Sequence, residues 1–257
     1  MGVIDKFSLN GKSALITGAS RGIGRAIAEG LAEAGAEVVI TGRNAEKLSE
    51  TQKKIAWIGG KCHVIAGDLA NEEDIRKIVD FALEKMGKID ILVNAAGIIY
   101  RDRAEEYPIE KWDEVINMNL RSLFLITQLV ARSMIERRIQ GSIINIASVI
   151  SYAGGINIPA YSASKGAVAQ LTKELANEWG KYGIRVNAIA PGYIETDMTE
   201  ALRKDPARSE KILSRIPLGR WGKPEDLKGI AVYLASEASS YATGNIFVVD
   251  GGWLWGV

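Results

Sequence analysis

Residues Ser13–Gly24 read SALITGASRGIG. The apolar run Ser13–Thr17 predicts a short buried strand. Three glycines follow it, Gly18, Gly22 and Gly24, at Gly-x-x-x-Gly-x-Gly spacing, and the Ala-rich stretch Ile23–Ala34 predicts a helix. Glycine admits positive φ and lets the backbone approach a ligand closely. A helix opening there presents unpaired N–H groups and the positive end of its dipole, which suit a pyrophosphate. A second apolar strand follows at Glu37–Thr41. That strand–turn–helix–strand context separates a nucleotide-binding turn from an ordinary structural one. The same turn also contains Gly-x-Ser-x-Gly at Gly18–Gly22, a pattern that elsewhere carries a nucleophilic serine. Such a serine needs a histidine base, and the one histidine, His63, falls in a predicted buried strand.

Outward from this stretch, short apolar runs alternate with helical patterns. Further strands are predicted at His63–Ala66, Ile89–Asn94, Ser142–Ala147, Arg185–Ala190 and Ile246–Val249. Helices are predicted at Ala45–Ile58, Glu72–Met86, Ile109–Arg137, Ala160–Lys181 and Glu225–Ser236. Continuous Val/Ile/Leu/Ala strands are those of a parallel sheet covered on both faces. The expected fold is therefore a doubly wound α/β fold of the Rossmann type, with one parallel seven-stranded sheet. Residues 1–257 read as one domain, without linker or repeat. The least regular segment, 192–222, is a candidate substrate lid.

Composition narrows the function classes. Of 257 residues 47% are hydrophobic and 25% charged, which are globular values. Lys+Arg is 32 against Asp+Glu 31, giving a net charge of +1, so no basic excess points to nucleic acid or a membrane surface. A single cysteine, Cys62, excludes an internal disulfide and suggests a reducing compartment. One histidine leaves no His-based metal cluster. Asp5 and Lys6 interrupt the N-terminal stretch where a signal peptide needs an apolar core. The longest charge-free run, Gly141–Ser164, holds Asn145, Asn157 and Pro159 and reads as two buried elements joined by a polar loop. A cytoplasmic location is expected.

The end of the second strand bears on the cofactor. NAD sites usually place an acid there for the ribose hydroxyls, whereas an arginine receives a 2′-phosphate. Here Thr41 and Gly42 stand in that place and Arg43 follows, with Arg21 in the glycine turn as a second cation. Charge-assisted Arg–phosphate contacts favour NADP(H) over NAD(H). The same arginines also suit a solvated surface.

Tyr161 and Lys165 are four residues apart at the start of a predicted helix, hence on one face. A free tyrosine, with a pKa near 10, is a poor base at neutral pH, and a nearby ammonium favours its phenolate. Lowering that pKa by ~2–3 units takes ~3–4 kcal/mol, within reach of a partly buried pair. Ser148 ends the strand SIINIAS, at the carboxyl edge where open α/β sheets place ligands. Its hydroxyl can hydrogen-bond a substrate oxygen as charge develops.

With these residues in place, the chain resembles the short-chain dehydrogenases/reductases over essentially its whole length. The matching pieces are Thr17–Gly24, Asp68-Leu69, NAAG at Asn94–Gly97, NMNL at Asn117–Leu120, Ser148, Tyr161-x-x-x-Lys165 and Pro191-Gly192. The resemblance implies a catalytic set of Asn119, Ser148, Tyr161 and Lys165. Tyr161 is then the acid/base, Ser148 orients the substrate, Asn119 holds a water of a proton relay, and Lys165 binds the nicotinamide ribose. It also implies that Asp68 meets the adenine edge, Asn94 the adenine ribose, and Thr196 the carboxamide or pyrophosphate. Ser20, Ile23, Leu69, Ala95, Gly97, Pro191, Gly192 and Ile194 complete the implied cofactor contacts. Ala95 departs from the family's frequent second asparagine, which removes one polar contact.

The sugar-acid members of that family, of the gluconate 5-dehydrogenase and 2-dehydro-3-deoxy-D-gluconate 5-dehydrogenase type, resemble the chain most. The stretches that carry this are AGIIYRDRAEEYPIEKWDEVI, NEWGKYGIRVNAIAPGYIETDMT, IPLGRWGKPEDL and VDGGWLW. Arg101 and Arg103 follow the NAAG turn, where an arginine can clamp a carboxylate bidentately. Arg220 and Trp221 border the candidate lid. Trp253 and Trp255 are expected in a subunit contact, and the resemblance implies a homotetramer. A 3-oxoacyl-carrier-protein reductase, a broad-range carbonyl or polyol reductase and a non-catalytic NADP sensor or scaffold stand as alternatives.

Overall fold

Alternation of side chains along each strand builds the molecule from the centre outward. The computed structural model describes residues 2–256. Its strands are β1 (Ser13–Thr17), β2 (Glu37–Gly42), β3 (Cys62–Ala66), β4 (Ile91–Asn94), β5 (Ser142–Ile146), β6 (Arg185–Pro191) and β7 (Ile246–Val249). All pair in parallel, in the order β3-β2-β1-β4-β5-β6-β7. The helices are α1 (Gly22–Glu33), α2 (Ala45–Trp57), α3 (Glu72–Met86), α4 (Ile109–Ile116), α5 (Ser122–Glu136), α6 (Pro159–Trp179), α7 (Glu200–Lys204), α8 (Pro206–Leu213) and α9 (Lys228–Ala235). Ala14 and Ile16 of β1 pack into one core with Ile27 and Leu31 of α1, Leu48 of α2 and Leu234 of α9. Leu15, one residue between them, enters the opposite core with Ile75 and Ile78 of α3, Val130 of α5 and Leu175 of α6. The period of two divides β2 likewise, Val38 and Ile40 from Val39. This is the expected doubly wound, seven-stranded Rossmann-type sheet.

Helix starts follow local chemistry. Asn44 caps α2 by accepting from the Lys47 N–H at 2.8 Å, and Asn71 caps α3 through the N–H groups of Glu73 and Asp74. Gly87, left-handed, closes α3.

Three predicted elements differ. Ile109–Arg137 is not one helix: a π-helical turn, Asn117–Arg121, separates α4 from α5. Apolar periodicity does not register one wide turn, because apolar residues still recur three or four apart through it. The predicted start at Glu225 is a 3₁₀ turn, Pro224–Leu227, and α9 begins only at Lys228. Segment 192–222 holds α7 and α8. Both are short, and the second is nucleated locally by Asp205 at its cap and Pro206 at its first position. Ile194 bridges Gly222 in parallel, so the two ends of the segment are tied together.

Candidate active site

β1 pairs with β2 on one side and β4 on the other, so the chain order reverses between β1 and β4. A crevice opens at the carboxyl ends of strands at such a switch point. Thr17, the last residue of β1, fastens its two walls. Its Oγ1 accepts from the N–H groups of Ala95 and Ala96 at 3.1 and 3.2 Å. Gly18, with φ +66°, lies against the same turn, and a Cβ there would stand 2.7 Å from the Ala96 backbone. Only glycine serves at this position.

Gly18, Ser20, Arg21, Gly22, Ile23, Gly24, Arg43, Asp68, Leu69, Ala95, Gly97 and Thr196 line one cleft. Ile23, Ala95, Gly97 and Thr196 also line the adjoining one, with Ser148, Tyr161, Lys165, Pro191, Gly192 and Ile194. The cleft joins a glycine cradle at the start of α1 to Arg43, which pairs with no acid among the described residues. These residues fit a phosphate-bearing dinucleotide. Arg21 does not stand free beside Arg43, because its guanidinium pairs with Asp197 across the cleft.

Asn94 is corrected. Its amide nitrogen is buried, donating to Thr127 Oγ1 at 2.8 Å and Asn145 Oδ1 at 2.9 Å, so the side chain ties β4 to α5 and β5, and Asn94 lines neither cleft. A strand-end asparagine alternates faces like any strand residue, and here the polar core claims it. Asn119 lies on the π turn, buried. It donates to the Ile98 carbonyl at 2.9 Å and Ser164 Oγ at 3.1 Å and accepts from the Ile98 N–H at 2.8 Å. It thus clamps the loop after β4 to α6.

Tyr161 and Lys165 share a face of α6, with Nζ 5.7 Å from the phenol ring centroid. The ammonium is buried and donates to the Ile146 carbonyl at 2.6 Å. Burial pushes its pKa down to about 8. Burial also pushes the Tyr161 phenol above the ordinary tyrosine value, and the Ser148 hydroxyl and the Arg101 guanidinium pull against it. The expectation that Lys165 lowers this pKa is therefore not met in this geometry. The ammonium is spent on the end of β5, and its own desolvation weakens it as a charge. Ser148, at the end of β5, is buried and accepts from the Ile150 N–H at 3.1 Å.

Arg101 donates to the Met198 carbonyl at 3.1 Å, and its charge reaches Tyr161. Its pKa is lowered by burial and then by the nearby Arg208 guanidinium. Arg208 on α8 was not singled out from the sequence, although it lies within the candidate lid. Neither Arg101 nor Arg208 pairs with an acid among the described residues. Both guanidiniums also act on Tyr193, whose phenol burial holds high. A lone cation in a polar helix carries no sequence signal of this convergence. Arg103 is turned outward to Glu105 and Glu106 and does not join the site. Arg220 is bound to Asp226 at 2.7 and 3.0 Å at the base of the lid, and Trp221 packs against Tyr193. Trp253 is corrected: it is buried within its own chain, against Tyr193 and beneath Arg215, because the chain after β7 turns back onto the lid. Trp255 is exposed.

The chain belongs to the short-chain dehydrogenase/reductase family and is an oxidoreductase of that family. A family model described as enoyl-(acyl carrier protein) reductase matches residues 18–254. Among curated relatives, the chain is similar to 2-dehydro-3-deoxy-D-gluconate 5-dehydrogenase from Bacillus subtilis, 52% identical with 97% of each chain covered. It is 45% identical to gluconate 5-dehydrogenase from Gluconobacter oxydans, over 96% of each. The crystal structure of a gluconate 5-dehydrogenase from Burkholderia cenocepacia in complex with NADP and tartrate matches at TM-score 0.95 and 42% identity, covering 100% of both chains. No helix among the described residues is long and apolar enough to cross a membrane.

Proposed function

We propose that the protein is an NADP(H)-dependent oxidoreductase that interconverts an alcohol and a ketone at carbon 5 of a gluconate-type acid. The observation that supports this is the hydrogen bond from Arg101 to the Met198 carbonyl at 3.1 Å, which sets the guanidinium beside the cleft that Met198 lines together with Ser148 and Tyr161. An arginine free of acidic partners at the edge of the cleft that holds the proton-transfer group suits a short acid that carries both a carboxylate and a reacting carbon. Arg208 supplies a second cation from the lid.

In this mechanism Ser148 donates a hydrogen bond to the reacting oxygen. The phenol of Tyr161 gives that oxygen a proton in reduction and takes it back in oxidation. Lys165 holds the end of β5 and the ribose side of the pocket. Asn119 acts through position, fixing Ile98 and Ser164. Arg43 and the turn Gly18–Gly24 hold the phosphates, and Asp68 with Leu69 meets the adenine. The bound nicotinamide supplies or accepts the hydride. Segment 192–222 closes over the substrate, the whole chain acting as one domain. We also place the protein in the cytoplasm as a homotetramer, with exposed Trp255 in a subunit contact; a monomer by light scattering would count against the assembly.

A second reading, oxidation of the 3-deoxy-2-keto acid, is favoured by the higher identity to that group of relatives. The deciding assay follows nicotinamide absorbance with both cofactors against gluconate, 5-ketogluconate, 2-dehydro-3-deoxygluconate and an acetoacetyl thioester. Turnover confined to the thioester would overturn the sugar-acid reading. For the cofactor, Arg43→Asp is expected to reverse the preference toward NAD(H), and an unchanged ratio of the two kcat/KM values would refute the 2′-phosphate role.

A further inference from the structure

One acid in the cleft has no part in this chemistry. Asp197 follows Thr196 on the strap beyond β6, and its carboxylate pairs with the Arg21 guanidinium from the opposite wall. Both residues line the cleft that also holds Arg43. The strap lies on the glycine turn, since a Cβ at Gly22 would stand 3.3 Å from Thr196 Cγ2. It is held there by its own bonds. The Thr196 N–H donates to Thr199 Oγ1 at 3.1 Å, and the Thr196 carbonyl accepts from Arg203 at 3.3 Å. Asp197 therefore keeps a negative charge beside the opening of α1 whether or not Arg21 turns away.

That opening is where a phosphate gains from N–H groups and helix dipole. An anion entering there meets a carboxylate well inside a Debye length of ~10 Å and needs a guanidinium already engaged. We propose that Asp197 is an affinity-setting residue that competes with the cofactor's phosphate oxygens for Arg21, so that nucleotide capture is an exchange of anions on one cation. The proposal rests on the reading of the cleft as a dinucleotide site. The pair is more than half exposed on both sides, at 58% and 59%. Exposed ion pairs are weak. Asp197 thus tunes affinity and does not lock the cleft.

The test is equilibrium binding of NADP⁺ and NAD⁺ to the full chain, read by calorimetry, for wild type, Asp197→Asn, Arg21→Gln and the double variant. Asp197→Asn is expected to tighten NADP⁺ about three- to ten-fold, as loss of a weak competing pair and its repulsion implies. The double variant is expected to bind no tighter than Arg21→Gln alone. A gain with NADP⁺ only identifies the 2′-phosphate as the competing anion, and a gain with both nucleotides identifies the pyrophosphate. Unchanged or weaker binding by Asp197→Asn, or a gain that persists without Arg21, overturns the competition. Wild-type protein that binds neither nucleotide overturns the dinucleotide reading beneath it, a separate and recognisable failure.

Discussion

Tyr161 is pulled in opposite directions by its surroundings, and the balance sets its behaviour. Burial favours the neutral phenol, while Ser148 and Arg101 favour the phenolate. Oxidation needs a proton acceptor, so its rate rises with pH as the phenolate fraction grows. Reduction needs the proton, so its rate is flat at neutral pH and falls only on the alkaline side. Ser148→Ala removes one of the two stabilising influences. Its rising limb in kcat/KM for oxidation is expected to move to higher pH, with a loss of roughly 10²-fold in kcat at neutral pH. A pH profile superimposable on wild type would contradict the assigned contact. Tyr161→Phe is expected to lose at least ~10²-fold in turnover while calorimetric nucleotide binding persists. Wild-type protein that binds the nucleotide yet turns over none of the assayed substrates would favour the sensor or scaffold reading.

Among the elements, α8 is where segment 192–222 is expected to act on the site. Arg208→Leu removes a guanidinium that acts on Arg101 and Tyr193. The expected result is a rise in KM for a sugar acid of ~10-fold or more, by loss of a charge-assisted contact. kcat should change less, and KM for an uncharged ketone should stay the same. Equal losses on charged and uncharged substrates would show that α8 only shapes the pocket. The strands were legible because their apolar runs are continuous, buried throughout in β1, β4 and β5 and kept even in the partly exposed edge strands β3 and β7. β1, β7 and α3 coincide with their predicted bounds. The glycine turn, Tyr161 and Lys165 were legible because local spacing fixes their geometry. Three things were not. The π turn still leaves apolar residues three or four apart, the inward turn of Asn94 depends on Thr127 and Asn145 from distant elements, and the influence of Arg208 on Arg101 joins residues far apart in sequence.

For the molecule as a whole, segment 192–222 is tied to itself and to the chain after β7. The Ile194–Gly222 bridge closes its base, and Trp253 wedges beneath Arg215, with ring and guanidinium 4.3 Å apart. Trp253→Ala removes a buried ring that contacts Tyr193 and Ile216. A loss of ~3–5 kcal/mol in denaturant unfolding is expected, together with a higher KM for the sugar acid. Instability without any change in KM would separate the tail from the site. The strand order has one more consequence. Gly18, Arg21, Arg43 and Asp68, the groups assigned to the phosphates and adenine, all precede β4, whereas Ser148, Tyr161, Arg101 and Arg208 all follow it. The adenine end of coenzyme recognition and the choice of substrate are therefore carried by different parts of the chain, with Asp197 the exception that reaches back to Arg21. A chimaera crossing over in the Gly67–Asn71 connection, with its N-terminal part from a relative of opposite coenzyme preference, should take the donor's 2′-phosphate preference, keep its own substrate and still carry Asp197 opposite the donor's glycine turn.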